Sequence, residues 1–243
     1  KGSNAAELFS ILSKQAAPGH TWRQCASLLT RHPQPWAAPI LLAMLAQAPA
    51  ADFELVYALR LALKTQALSA SLDHLRSWAA PSAATAARLA EVCLAVPTSA
   101  AAFFLLEHLA QSKFASSRAG EFARHAVKYL PSADLAAVLL LQRSLAAAPL
   151  AQRLALAEGL AAVAAKPDAI LPEELAARMR DDLLAALGDR DAALVLRAIT
   201  ALKPLAIPEK IAPLRRIALD PKARETSRTA ALRALRHRGL LTS

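Results

Sequence analysis

The arginines near the end of the chain are the residues whose number and spacing could do chemistry. Residues 210–243 hold nine Lys or Arg (Lys210, Arg215, Arg216, Lys222, Arg224, Arg228, Arg233, Arg236, Arg238) against Asp220 and Glu225, a net +7 of the chain's +10. A guanidinium presents a fixed fork of N–H donors that matches a carboxylate or a phosphate. Arg224 and Arg228 share a helix face at i, i+4, and Arg233 with Arg236 extends it. Arg215, Arg216, Arg224, Arg228, Arg233 and Arg236 are therefore the candidate binding surface, for phosphates or an acidic protein surface. The apolar positions Ile211, Leu214, Ile217 and Ala218, then Ala230, Ala231, Ala234 and Leu235, set which sides face inward. On that register Arg215 leans to a flank, and Arg224, Arg228 and Arg233 point outward. The competing reading is a solvated end with cations near helix C-termini, where the dipole favours them. No aromatic ring of Phe, Trp or Tyr follows Tyr129, so base stacking from this end is not expected.

Other chemistry is sparse. Six histidines are scattered from His20 to His237, and Glu121 with His125 at i, i+4 lacks a third ligand, so no metal site is expected. Cys25 and Cys93 stand far apart on predicted helices and read as small buried hydrophobes. There is no Gly-rich phosphate cradle and no G-x-S-x-G. Asp181 and Asp182 read as solvated surface, and Glu173 with Glu174 as helix-start charges. The expectation is a protein with no catalytic residues and no cofactor, and not an enzyme. Trp22, Trp36 and Trp78 fall in the first third and read as core gap-fillers.

The elements that must position these residues follow from composition. The 243 residues are 55% hydrophobic but only 5% aromatic, with Ala and Leu dominant, 15 prolines and 6 glycines. Ala and Leu favour helix, and strand formers are scarce, so the fold is expected to be all-α. Small Ala faces allow helices to approach closely. The longest charge-free run, Pro33 to Ala51, is broken by prolines and too short in its apolar part to span a bilayer. The chain begins Lys-Gly-Ser without Met and reads as a segment of a longer protein.

Prolines and caps predict about thirteen or fourteen helices. The first 80 residues give helices near 4–15, 21–31, 36–47, 52–64 and 68–78, an irregular start to one array spanning 1–243. More regular pairs follow over 81–243: 82–96 with 98–112, 118–130 with 132–146, and 150–165 opposite a helix starting at Pro172. Asp52, Thr98 and Asp191 read as N-caps, Asp220-Pro221 as a cap followed by a first-turn proline, and Gly239 as a stop.

Within 183–239 two stretches repeat one pattern, LLAALGDRDAALVLRAITAL and LRRIALDPKARETSRTAALRAL. Asp189 and Asp220 are 31 positions apart, as are Arg197 and Arg228. Such a period signals a solenoid, whose units bury their apolar faces only against neighbours. The spacing resembles HEAT-type (armadillo-like) repeats, which implies an α/α superhelix of antiparallel helix pairs and a protein-binding or scaffold role. ARLAEVCLAVPTSAAAFFLLEHLAQ (Ala87–Gln111) and ARHAVKYLP (Ala123–Pro131) are similar to repeat segments of large multidomain bacterial proteins. Those combine a dehydrogenase-like propeller, HEAT-like repeats and a c-type haem-binding domain. That resemblance implies an exported or periplasmic linker; with no C-x-x-C-H here, any haem would sit elsewhere. The expected function is a non-catalytic scaffold or spacer serving a protein partner or neighbouring domains, with weak non-specific polyanion binding and no membrane span. The alternative is a nucleic-acid-binding HEAT-like protein or an alkylpurine-glycosylase-like enzyme, which would want an acidic residue beside interleaved aromatics.

Overall fold

Ala- and Leu-rich segments parted by proline favour helix, and helices are what form. A computed structural model of the chain describes residues 19–112, 118–166 and 170–236. Among the described residues there are thirteen α-helices, three short 3-10 turns and no strand. No described helix is long and apolar enough to cross a membrane. The predicted helix at 4–15 and the stop at Gly239 lie outside the described residues. Contacts divide the chain into two compact units, Lys1–His108 and Leu109–Ser243.

The first unit contains α1 (Gly19–Arg31), α2 (Ala38–Gln47), α3 (Phe53–Leu68), α4 (Leu72–Ala79), α5 (Ala83–Cys93) and most of α6 (Ser99–Gln111). Side chains punctuate it. The Asp52 carboxylate accepts from the Leu55 N–H at 3.1 Å, and Thr98 Oγ1 accepts from the Ala101 N–H at 3.3 Å. The helix expected from Leu68 instead starts at Leu72. Ser71 supplies the cap, accepting from the His74 N–H at 3.3 Å, while Ala67 and Leu68 continue α3. Leu55, Leu59 and Leu63 are fully buried, and α3 packs on α1, α2 and α5. Buried Gln66 holds the proline corner, donating to the Leu29 carbonyl at 3.0 Å and accepting from the Gln34 N–H at 2.6 Å. Trp22 and Trp78 are core residues as expected; Trp36 is half-buried.

The second unit contains α7 (Ala119–Tyr129), α8 (Leu135–Ser144), α9 (Leu150–Ala164), α10 (Glu173–Leu187), α11 (Ala192–Leu202), α12 (Ile211–Leu219) and α13 (Glu225–Arg236). Its packing alternates. Helix α7 lies on α9, α9 on α11 and α11 on α13, while α10 lies on α12; α9–α10, α10–α11 and α12–α13 join the two sets. The partner expected for α7 was α8, but its most extensive contact is with α9. Gly159 is the reason. A Cβ there would sit 2.8 Å from the Ala123 carbonyl carbon and 2.8 Å from the Arg124 nitrogen, so the backbones meet where only glycine fits.

Alternate helices are also joined by charge. Arg23 of α1 grips Asp52 at the start of α3 at 2.8 and 2.9 Å. Arg76 of α4 holds Glu107 of α6 at 2.5 and 3.1 Å, and Arg143 of α8 holds Glu174 of α10 at 2.7 to 3.1 Å. Arg197 of α11 forks onto Glu158 of α9 at 2.7 and 2.8 Å. Each bridge reaches from one helix to the next but one. Asp182 corrects the surface reading. It is 7% exposed and pairs with Arg153 of α9 at 2.9 Å, and burial raises its pKa against the pull of Arg153.

Candidate functional site at the C-terminal corners

Two corners organise the basic end. At the first, between α10 and α11, Asp189 Oδ1 accepts from the Asp191 N–H at 2.7 Å, and Asp191 caps α11 through the Ala193 N–H at 2.8 Å. At the second, after α12, Asp220 Oδ1 accepts from the Lys222 N–H at 2.8 Å. The two aspartates 31 positions apart thus make the same turn. Asp220 is not the cap of α13, however, and Pro221 is not in its first turn. The helix begins at Glu225, because the turn closed by Asp220 holds residues 221–224 outside it.

Those extra corner residues shift the register of the last helix. Leu183 and Leu214, 31 apart, are both fully buried. In the following helices, buried Val195, Ala198 and Leu202 answer to Ser227, Ala231 and Leu235, at spacings of 32 and 33. Arg228 is consequently not the counterpart of Arg197. It is half-buried rather than outward-pointing, and Arg215, Arg216, Arg224, Arg233 and Arg236 are exposed. Leu214, Ile217, Ala231, Ala234 and Leu235 are buried, as their spacing predicted.

The six candidate arginines do not converge on one site. Arg216 and Arg224 line a cleft of about 580 Å³ between the two corners, together with Arg190, Lys222, Asp189 and Asp220. Arg233 lines a separate groove of about 480 Å³ between α11 and α13, walled by Thr200, Lys203, Thr226 and Thr229. Arg215, Arg228 and Arg236 line neither.

Lys210 leaves the surface altogether. It is 1% exposed, and its ammonium donates to the carbonyls of Leu202 at 2.7 Å, of Lys203 at 3.3 Å and of Leu205. It closes the C-terminus of α11, where the carbonyls lack helical partners. In sequence Lys210 counts only toward the net charge of the basic end, because its burial depends on the carbonyls with which α11 ends.

Among the described residues no three His, Cys, Asp or Glu side chains gather to hold a metal. The Glu121 carboxylate is engaged by Arg118 at 2.6 Å, which lowers its pKa, and His125 lies against Tyr129 with ring centres 4.6 Å apart. Cys25 and Cys93 are buried; desolvation pushes the Cys93 thiol up to about 12 and raises Cys25 as well. Neither is a thiolate nucleophile near neutral pH. What the basic end can do chemically is hold an anion. No protein-family model, curated protein or solved structure matches the chain.

Proposed function

We propose that the chain is a non-catalytic interaction or scaffold domain built from HEAT-like helical repeats, engaging a protein partner or neighbouring domains of its own polypeptide. The observation that carries this reading is the alternation of packing in the second unit, α7–α9–α11–α13 beside α10–α12. Along α7, α9, α11 and α13 each helix packs on the next but one, as stacked repeats do. The repeated Asp turns at 189 and 220 and the Arg–acid bridges between alternate helices support it. Solenoids of this kind present extended surfaces to partners rather than a single enclosed active site.

A nucleic-acid-binding reading draws on the exposed arginines of α12 and α13. It fits the cleft less well, because Asp189 and Asp220 stand in its wall and no Phe, Trp or Tyr follows Tyr129. Binding of a duplex oligonucleotide across a salt series separates the two. The scaffold reading expects only non-specific affinity, roughly 10⁻⁴ to 10⁻⁶ M near physiological salt. Sequence-selective binding far tighter than that would overturn it.

A further inference from the structure

We infer that the cleft between the α10–α11 and α12–α13 corners binds an acidic peptide segment of a protein partner, a carboxylate seating on Arg216 and Arg224. This deepens the scaffold reading and rests on it. Four observations point to the site.

The first is unpaired charge. Among the described residues, ion pairs involve Arg23, Arg76, Arg118, Arg143, Arg153, Arg178 and Arg197, and none involves Arg190, Arg216, Lys222 or Arg224. The second is position. Arg190 comes just before α11, and Lys222 and Arg224 just before α13, at helix N-termini. The dipole there disfavours a cation, so helix formation does not call for them. An incoming anion would reverse that repulsion.

The third is Ser227, in the first turn of α13. It is 3% exposed and lines the cleft, and its hydroxyl has no hydrogen-bond partner among the described residues. A buried hydroxyl left unsatisfied is costly, and a ligand oxygen would satisfy it. The fourth is the mixed lining, which decides the class of ligand. Asp189 and Asp220 each spend one oxygen on a backbone N–H and keep a negative charge in the wall. A nucleic-acid backbone, one charge per phosphate with no donors between, would meet repulsion at both. A peptide places N–H donors beside its carboxylates, so it can satisfy arginines and aspartates together.

The test is fluorescence anisotropy on the full chain with three labelled probes: a blocked Glu-Gly octapeptide, the same peptide with Gln for Glu, and a single-stranded oligonucleotide of equal charge. The acidic peptide should bind, the Gln peptide should not, and the oligonucleotide should bind more weakly than the acidic peptide. Arg216→Gln with Arg224→Gln should weaken the acidic peptide on the order of tenfold, since charge-assisted pairs are the strong ones. Arg215→Gln with Arg236→Gln, equally exposed but outside the cleft, should change it less than about twofold. Ser227→Ala should weaken it a few fold with an unchanged or higher melting temperature. Equal losses in the two double variants, tighter oligonucleotide binding, an unaffected Ser227→Ala, or no preference for Glu over Gln would each overturn the assignment. Any of these with only non-specific duplex binding leaves the scaffold reading standing; tight, sequence-selective duplex binding removes both.

Discussion

Gly159 offers the sharpest check on how the second unit is held together. It lies in the buried middle of α9, where alanine would ordinarily be preferred by about 1 kcal/mol. A Cβ at this position would come within 2.8 Å of two backbone atoms of α7 and 3.1 Å of the Ala123 oxygen. Backbone cannot rotate aside as a side chain can, so α7 and α9 must separate. Overpacking of this kind costs about 1 to 3 kcal/mol, and a backbone clash belongs at the upper end. Setting about 3 against the helix-forming gain of about 1 leaves Gly159→Ala destabilised by about 2 kcal/mol. At about 2 to 4 °C per kcal/mol, the melting temperature should fall by roughly 4 to 8 °C. Gly188→Ala is the matched control. Its Cβ would meet only the Ala185 oxygen, at 3.5 Å, and its φ of −94° suits any residue. That substitution should stabilise by about 0.4 to 1 kcal/mol through the unfolded chain. Thermal and urea unfolding followed by circular dichroism at 222 nm would read both. If Gly159→Ala is as stable as the parent, the close crossing of α7 and α9 is wrong.

Three further outcomes follow from buried polar groups. Lys210→Met strips the donor from three carbonyls at the end of α11 and should cost about 2 to 4 kcal/mol in urea unfolding; a loss below about half a kcal/mol would refute the cap. Neither cysteine should react with a thiol reagent at pH 8 faster than the protein opens, and rapid labelling of Cys93 in the native state would contradict its burial. Asp182 has a folded pKa raised by burial, so its contribution favours the native state below the unfolded value of about 3.9 and is lost as pH rises through the folded value. Asp182→Asn should therefore gain on the parent between pH 4 and pH 7; a difference that shrinks over that range would mean Arg153 outweighs desolvation.

The helices were legible because proline, Asp and Ser act locally. Asp52, Thr98 and Asp191 cap where their positions said they should, and Leu214, at 0% exposure, lies on the predicted inward face. What was not legible depends on neighbours distant in sequence. Nothing around Asp182 marks it as buried, since only the approach of α9 with Arg153 makes it so. Gly159 looks like a weak point in a helix until α7 is laid across it. The arginines showed the same limit. Composition located the basic end, but the corner that Asp220 closes set the register, and register divided six candidates between two clefts and open surface.

That register also explains why the basic end is left unpaired. An arginine on one helix is neutralised when the helix two before it offers an acid at the right height, as Glu158 does for Arg197 and Glu174 for Arg143 in the reverse sense. For α13 the corresponding neighbour is α11, whose residues Ala192–Leu202 include no Asp or Glu. Arg228 and Arg233 therefore meet no carboxylate along the body of that helix. The acids that share the cleft with Arg216 and Arg224 are Asp189 and Asp220, each already tied to a backbone N–H at its corner. The chain repeats its stitching as far as Arg197 and then supplies the cation without the anion. Surface arginines are well solvated and impose little strain in that state, so the arrangement is stable while open. On the proposal above, what it awaits is a segment that brings its own carboxylates.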